Sequence, residues 1–183
     1  MKHLSAADYR RVAWKNGAGE TAEIAVFPPG AGLDDFIWRI SMATVSDDGA
    51  FSIFPGIDRS ISVIEGAGFV LRTGEMEQLL RSGDAPLQFA GDVATTARLI
   101  AGPVIDLNVM SRRDVAAHAM VWLAPDEVMH ATGTFAAIFA VTATQVRVGD
   151  QIIDLNRCDL IVLDHGTSPA LLSGSALAVQ IDP

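Results

Sequence analysis

Apolar and polar positions alternate along this chain far more often than they recur at helical spacing. Thr21-Ala22-Glu23-Ile24-Ala25-Val26-Phe27 is one such stretch, closed by Pro28-Pro29-Gly30. Comparable runs lie at 37–45 ("IWRISMATV"), 60–64 ("SISVI"), 67–72, 95–100, 104–110 ("VIDLNVM"), 119–123, 135–148 and 160–163. They are rich in Val, Ile, Thr and Phe, and clusters of Gly, Pro, Asp and Ser separate them. Many short strands at this spacing predict an all-β chain folded as a sandwich or barrel. Helical turns are expected only at residues 5–10 and 111–117, while 75–81 ("EMEQLLR") fits a helical turn or a strand equally.

The pattern also repeats. "LIAGPVIDLNV" (99–109) aligns without gaps on "LLSGSALAVQI" (171–181), with Gly102 on Gly174 and Asn108 on Gln180. Upstream, "VIEGAGFVL" (63–71) aligns more loosely on "AVTATQVRV" (140–148), which sets Val63 against Ala140. Two related β-barrels in one chain are the expectation, with no linker between them.

Alternation assigns faces within the strands. In "IWRISMATV" it sends Ile37, Arg39, Ser41 and Ala43 to one side and Trp38, Ile40, Met42 and Thr44 to the other. Asp106, Asn108 and Met110 likewise share a side, opposite Leu107 and Val109. An Asp and an Asn pointing the same way from an apolar strand need partners or a ligand. Arg39 and Arg59 each carry a planar fork that can hold a carboxylate through two parallel hydrogen bonds. The structural alternative for Arg39 is an internal pair with Glu23 or Asp106.

Composition narrows the function. The chain has 183 residues, half of them hydrophobic, enough for one large domain or two small fused ones. No apolar run approaches the ~18 residues of a membrane helix. The start, "MKHLSAADYRRVAW", lacks the apolar segment of a secretory signal. The single cysteine, Cys158, agrees with a reducing, cytoplasmic setting. A formal net charge of -9 disfavours nucleic acid and anionic membrane as partners. From Arg113 onward there are three basic and eight acidic residues, so a small anionic metabolite would find its cations in the first part of the chain.

The residue types that carry familiar chemistry are scattered. Cys158 stands between Arg157 and Asp159 without a base, and there is no G-x-S-x-G elbow. Ser41 has no histidine near it in sequence, and no residue is marked as catalytic. The stretch "WKNGAGETAEIAVFPPG" holds Gly17-Ala18-Gly19, but a strand follows where a dinucleotide fingerprint needs a helix. Gly17 and Gly19 would instead turn the chain tightly, presenting Lys15 and Asn16 to a small polar anion with Trp14 as lid or anchor. Glu23 would orient Lys15 or accept a proton. The bland alternative is a turn that caps the core, with Trp14 buried and Lys15 solvated.

"WKNGAGETAEIAVFP", "FIWRISMATVSDDGAFSIFPGIDRSISVIEGAGFVL" and "LQFAGDVATTARLIAGPVIDLNVMSRR" strongly resemble the HutD/Ves family of bacterial bicupins. The resemblance covers nearly the whole chain and is densest between Trp14 and Arg113. It departs at Ala18, where the family usually has a third glycine. It implies one bicupin unit over 1–183, with one barrel at about 12–112 and another at 113–183 joined by the N-terminal segment. It also implies an association with histidine catabolism and a pocket for a small carboxylate such as formylglutamate or urocanate. Metal-binding cupins carry an H-x-H pair, a Glu and a later His. Here Phe, Pro and Arg take those places in "FSIFPGIDRSISVIEGAG", and "HATGTFAAIFAVTATQ" offers only His130. His3, His118, His130 and His165 are far apart in sequence, so neither a metal nor another cofactor is expected. The favoured reading is a metal-free binding module that tunes flux or regulation. Its ligand set is Trp14, Lys15, Asn16, Glu23, Arg39, Ser41, Arg59, Asp106 and Asn108. An isomerase or hydrolase using Glu23 with Lys15 or Arg39 remains the alternative, as does a protein whose second barrel docks a partner. Fold analogy adds a homodimer paired through sheet edges.

Overall fold

A computed structural model describes residues 1–13 and 19–182, and nearly all regular structure in it is strand. The chain opens with β1 (Lys2–Leu4), a 3-10 turn at Ala6–Asp8, β2 (Arg10–Ala13) and β3 (Gly19–Phe27). β4 (Trp38–Val45), β5 (Gly49–Ala50), β6 (Ile57–Glu65), β7 (Phe69–Thr73) and β8 (Met76–Leu80) follow. Next come β9 (Leu87–Ala90), β10 (Thr95–Leu99), β11 (Val104–Arg112) and β12 (Ala117–Leu123). The last six are β13 (Phe135–Ala140), β14 (Thr144–Val148), β15 (Gln151–Leu155), β16 (Leu160–Leu163), β17 (Ala170–Ser173) and β18 (Ala176–Asp182). The ambiguous stretch at 75–81 is therefore strand. Residues 111–117 are not helical, because β11 runs on to Arg112 and a turn leads directly into β12. The long run at 135–148 is two strands, broken at residues 141–143.

The chain divides into two compact units, one of residues Arg10–Ala116 and one of Met1–Tyr9 with Ala117–Pro183. In the first unit a six-stranded sheet, ordered β2-β3-β4-β11-β6-β9, accompanies a four-stranded sheet, β5-β10-β7-β8. Ile61, Val63, Phe69, Leu71, Leu80 and Val104 fill its core. Phe51 meets Phe69 edge to face, with ring centroids 6.4 Å apart.

The second unit repeats this plan. Its sheets are ordered β1-β16-β13-β18-β12 and β15-β14-β17, so β12, β18, β13 and β16 follow one another as β4, β11, β6 and β9 do. Val104 opens β11 as Ala176 opens β18, in agreement with the repeat read from sequence. The upstream alignment is corrected by register. Val63 pairs with Asp106 and Ile138 pairs with Ala178, so Val63 corresponds to Ile138 and not to Ala140. Gly102 and Gly174 occupy matching connections, both with positive φ, at 64° and 84°. A Cβ at Gly174 would stand 2.3 Å from the carbonyl oxygen of Ala143, so glycine is required there.

The N-terminal segment is fastened within the second unit by one buried carboxylate. Asp159 accepts from the Ala6 N–H at 2.9 Å and the Asn156 N–H at 3.0 Å, and contacts His3 Nε2 at 2.9 Å. Tyr9 O–H donates to the Cys158 carbonyl at 2.8 Å. Burial alone would push the Asp159 carboxyl up, but the Ala6, His3 and Asn156 hydrogen bonds overcome it and hold the group below its ordinary value. Cys158 itself is buried. Asp159→Ala leaves two backbone N–H groups unpaired and is expected to cost about 2 kcal/mol in urea denaturation, with faster amide exchange at Lys2–Leu4. Unchanged exchange there would show that the carboxylate does not hold the segment.

Candidate functional site

A cavity of about 570 Å³ opens in the first unit. Four adjacent strands supply its polar wall. Glu23 on β3 stands opposite Ser41 on β4, and Ser41 stands opposite Asn108 on β11. One step along the ladder, Arg39 pairs with Met110, which pairs with Arg59 on β6. The faces assigned by alternation are observed for Arg39, Ser41 and Ala43, which all line the cavity, as do Asp106, Asn108 and Met110, whereas Ile37 lies before β4 and does not line it. On β3 a register shift after Glu23 inserts Ile24 before pairing resumes at Ala25, a bulge that re-aims the strand.

Two chains of hydrogen bonds cross this wall. Arg39 donates from Nε to Glu23 Oε2 at 2.9 Å and from Nη1 to Ser41 Oγ at 3.1 Å. Of the two internal partners open to Arg39, the structure selects Glu23. Arg59 donates from both Nε and Nη2 to Asn108 Oδ1, at 3.2 and 3.0 Å. Asn108 in turn donates from Nδ2 to Asp106 Oδ1 at 3.1 Å. Asp106 Oδ2 is buried and has no hydrogen-bond partner among the described residues.

The electrostatics follow from the burial. Arg59 is 6 % exposed, and its guanidinium lies 5.1, 5.7 and 5.2 Å from the ring centres of Phe51, Phe54 and Phe89. Those ring faces replace part of the lost hydration. Burial nevertheless pushes the Arg59 pKa down to about 10; Asp106 opposes that shift and Arg39 adds to it. Asp106 is 1 % exposed, and burial pushes its pKa up to about 6 against the Asn108 hydrogen bond and the Arg59 charge. Arg39 still carries N–H groups beyond the two used on Glu23 and Ser41, since a guanidinium has five.

Glu23, Arg39, Ser41, Arg59, Asp106 and Asn108 are thus brought together in one cavity. Trp14, Lys15 and Asn16 lie outside the described residues. Sequence reading missed Phe51, Phe54 and Phe89, the rings around Arg59, and Arg10, which lines the same cavity from β2. The signal for two of the rings was present, since "FSIFPG" (51–56) lies shortly before Arg59.

These side chains do not fit a divalent cation. Among the described residues no histidine or cysteine lines the cavity, Glu23 is engaged by Arg39, and Asn108 holds one oxygen of Asp106. Two guanidinium groups occupy the wall and repel a metal. Among the described residues no cluster of three or more His, Cys, Asp or Glu side chains is placed to hold one. The repeated unit does not reproduce the site either. There Ala178 stands in the place of Asp106, and Ala136 in the place of Ile61, inside an apolar core. Gln180, in the place of Asn108, accepts from Thr132 and Gly133 instead.

Residues 6–179 match the HutD family. Protein Ves of Citrobacter koseri is 37% identical over 141 residues, which cover 76% of this chain and 72% of that protein. The crystal structure of a conserved protein, PA5104 of Pseudomonas aeruginosa PAO1, superposes with a TM-score of 0.89 at 32% identity, covering 100% of this chain and 98% of that one. HutD from Pseudomonas fluorescens SBW25 superposes with a TM-score of 0.86 at 32% identity, covering 99% and 97%. A cupin 2 conserved barrel domain protein from Leptotrichia buccalis, 8% identical with a TM-score of 0.60 over 97% of this chain and 98% of that one, shares the fold alone. The fold is a bicupin, as expected from the sequence.

Proposed function

Because the chain belongs to the HutD family, we propose that it binds a small carboxylate metabolite linked to histidine utilisation, of the formylglutamate or urocanate kind. The observation that carries this reading is the cavity with Arg39 and the buried Arg59 on its wall. Arg59 is held by Asn108 and the phenylalanine rings, whereas Arg39 keeps its second terminal nitrogen for an incoming carboxylate. An apolar side formed by Ala43, Met110 and Phe54 would take the hydrocarbon part of the ligand. The role is one of holding a metabolite and tuning flux, because among the described residues no nucleophile in the cavity is hydrogen-bonded to a base, the Ser41 hydroxyl accepting from Arg39 instead. The net charge of -9 keeps nucleic acid and anionic membrane outside this reading, and among the described residues no helix is long and apolar enough to cross a membrane.

The test is a thermal-shift and calorimetric screen against urocanate, formylglutamate, formiminoglutamate, histidine and glutamate. A ligand at a hundredfold excess over its dissociation constant adds about 2.7 kcal/mol of stability. Arg39→Ala is expected to weaken the bound compound at least tenfold, roughly 1.4 kcal/mol, while the protein still unfolds cooperatively. Binding that survives Arg39→Ala unchanged would remove Arg39 from the site.

A further inference from the structure

Resting on that carboxylate-binding reading, we infer that the ligand also carries a hydrogen-bond donor, an N–H or O–H, which meets Asp106 Oδ2. Asp106 is nine-tenths buried and more, and it lines the cavity. One of its oxygens is satisfied by Asn108, and the other has no partner among the described residues. A buried carboxylate oxygen without a donor is costly, and native structures leave few such atoms. None of the hydrogen bonds made by Asn108, Arg59 or Arg39 reaches that oxygen. Asn108 gives its amide to Asp106 Oδ1, Arg59 points both Nε and Nη2 at Asn108, and Arg39 is turned to Glu23 and Ser41. A donor brought by the ligand completes the network.

Geometry bounds what that ligand looks like. The Arg59 guanidinium and the Asp106 carboxylate sit at opposite ends of a single amide, that of Asn108. A ligand whose carboxylate meets the guanidinium groups therefore needs its donor only a few bonds away. Asp106 Oδ2 is closed to solvent in the empty protein, so the carboxylate turns about its last torsion to meet the ligand. The class is a small acid bearing an amide, amidine, imidazole or hydroxyl group. Simple alkyl dicarboxylates, which have no donor once ionised, are excluded from tight binding.

The experiment is calorimetry of the full chain at pH 7 with N-formyl-L-glutamate and with its ester counterpart, in which an oxygen replaces the N–H. Glutarate serves as the donor-free acid. Wild-type protein is expected to bind the amide about tenfold or more tightly than the ester or glutarate. In Asp106→Asn, checked for cooperative melting, the preference collapses. Equal affinity for amide and ester in the wild type overturns the inference and leaves the carboxylate reading standing. So does uptake of one proton with equal affinities, which would mean that Asp106 protonates and faces the ligand's own carboxylate. Absence of binding by all three acids overturns the inference and tells against the carboxylate reading as well.

Discussion

Arg59→Ala is expected to cost about 3–5 kcal/mol of folding stability, the range seen when one partner of a buried charge network is removed. The guanidinium makes two hydrogen bonds to Asn108 Oδ1 and stands against three phenylalanine rings. Truncation leaves the Asn108 carbonyl unpaired and opens a void among Phe51, Phe54 and Phe89. It also removes a cation that lowers the Asp106 pKa, so that carboxyl moves further up. Urea denaturation measures the loss, and the midpoint should fall without a change in slope. The pair Arg59→Met with Asp106→Asn restores volume and removes the unpaired charge, so it should recover most of the loss. Mutations this closely coupled are not additive, and the cycle reads their coupling directly. A cost below about 1 kcal/mol for Arg59→Ala would show that the network orders the cavity without holding up the fold.

The sequence made the faces of β4 and β11 legible because both strands are central in their sheet, with a neighbour on each side. A strand paired on both edges keeps its pleat, and period-two reading then places Arg39, Ser41, Asp106 and Asn108 on one wall. The bulge at Ile24 was not legible, since one extra residue in β3 leaves no mark in an alternating run that is apolar on both sides. Nor was the choice of Glu23 over Asp106 as the partner of Arg39. That choice depends on which strand lies beside β4 at the level of Ser41, a matter of sheet order and not of local pattern. The phenylalanine cage was missed for a different reason. Phe51 and Phe54 sit in an irregular segment, and Phe89 is on β9, a four-residue strand too short to announce itself. The short strands β1, β2 and β5 escaped in the same way.

Asp106→Asn is expected to stabilise the ligand-free protein at pH 7 by roughly 3 kcal/mol, taking about 1.4 kcal/mol for each pKa unit. The carboxyl titrates at about 6 in the fold, above its ordinary 3.8, because burial penalises its charged form. Below pH ~4 the group is protonated in both folded and unfolded chains and carries no penalty. Between pH ~4 and ~6 the folded chain holds the extra proton, so stability falls as pH rises through that window. Above about 6 the full penalty applies, with Arg59, Arg39, Arg10 and Glu23 among the charged groups that share the cavity. Wild-type protein and Asp106→Asn should therefore match near pH 4 and diverge steadily up to pH 6–7. Melting temperatures across that range check the divergence. A constant difference at every pH would mean that packing, not ionisation, separates the two proteins. A buried carboxylate that destabilises the empty protein at neutral pH recovers that cost when a ligand donor meets it. The pH-resolved stability gap and the loss of ligand preference should therefore appear in the same variant.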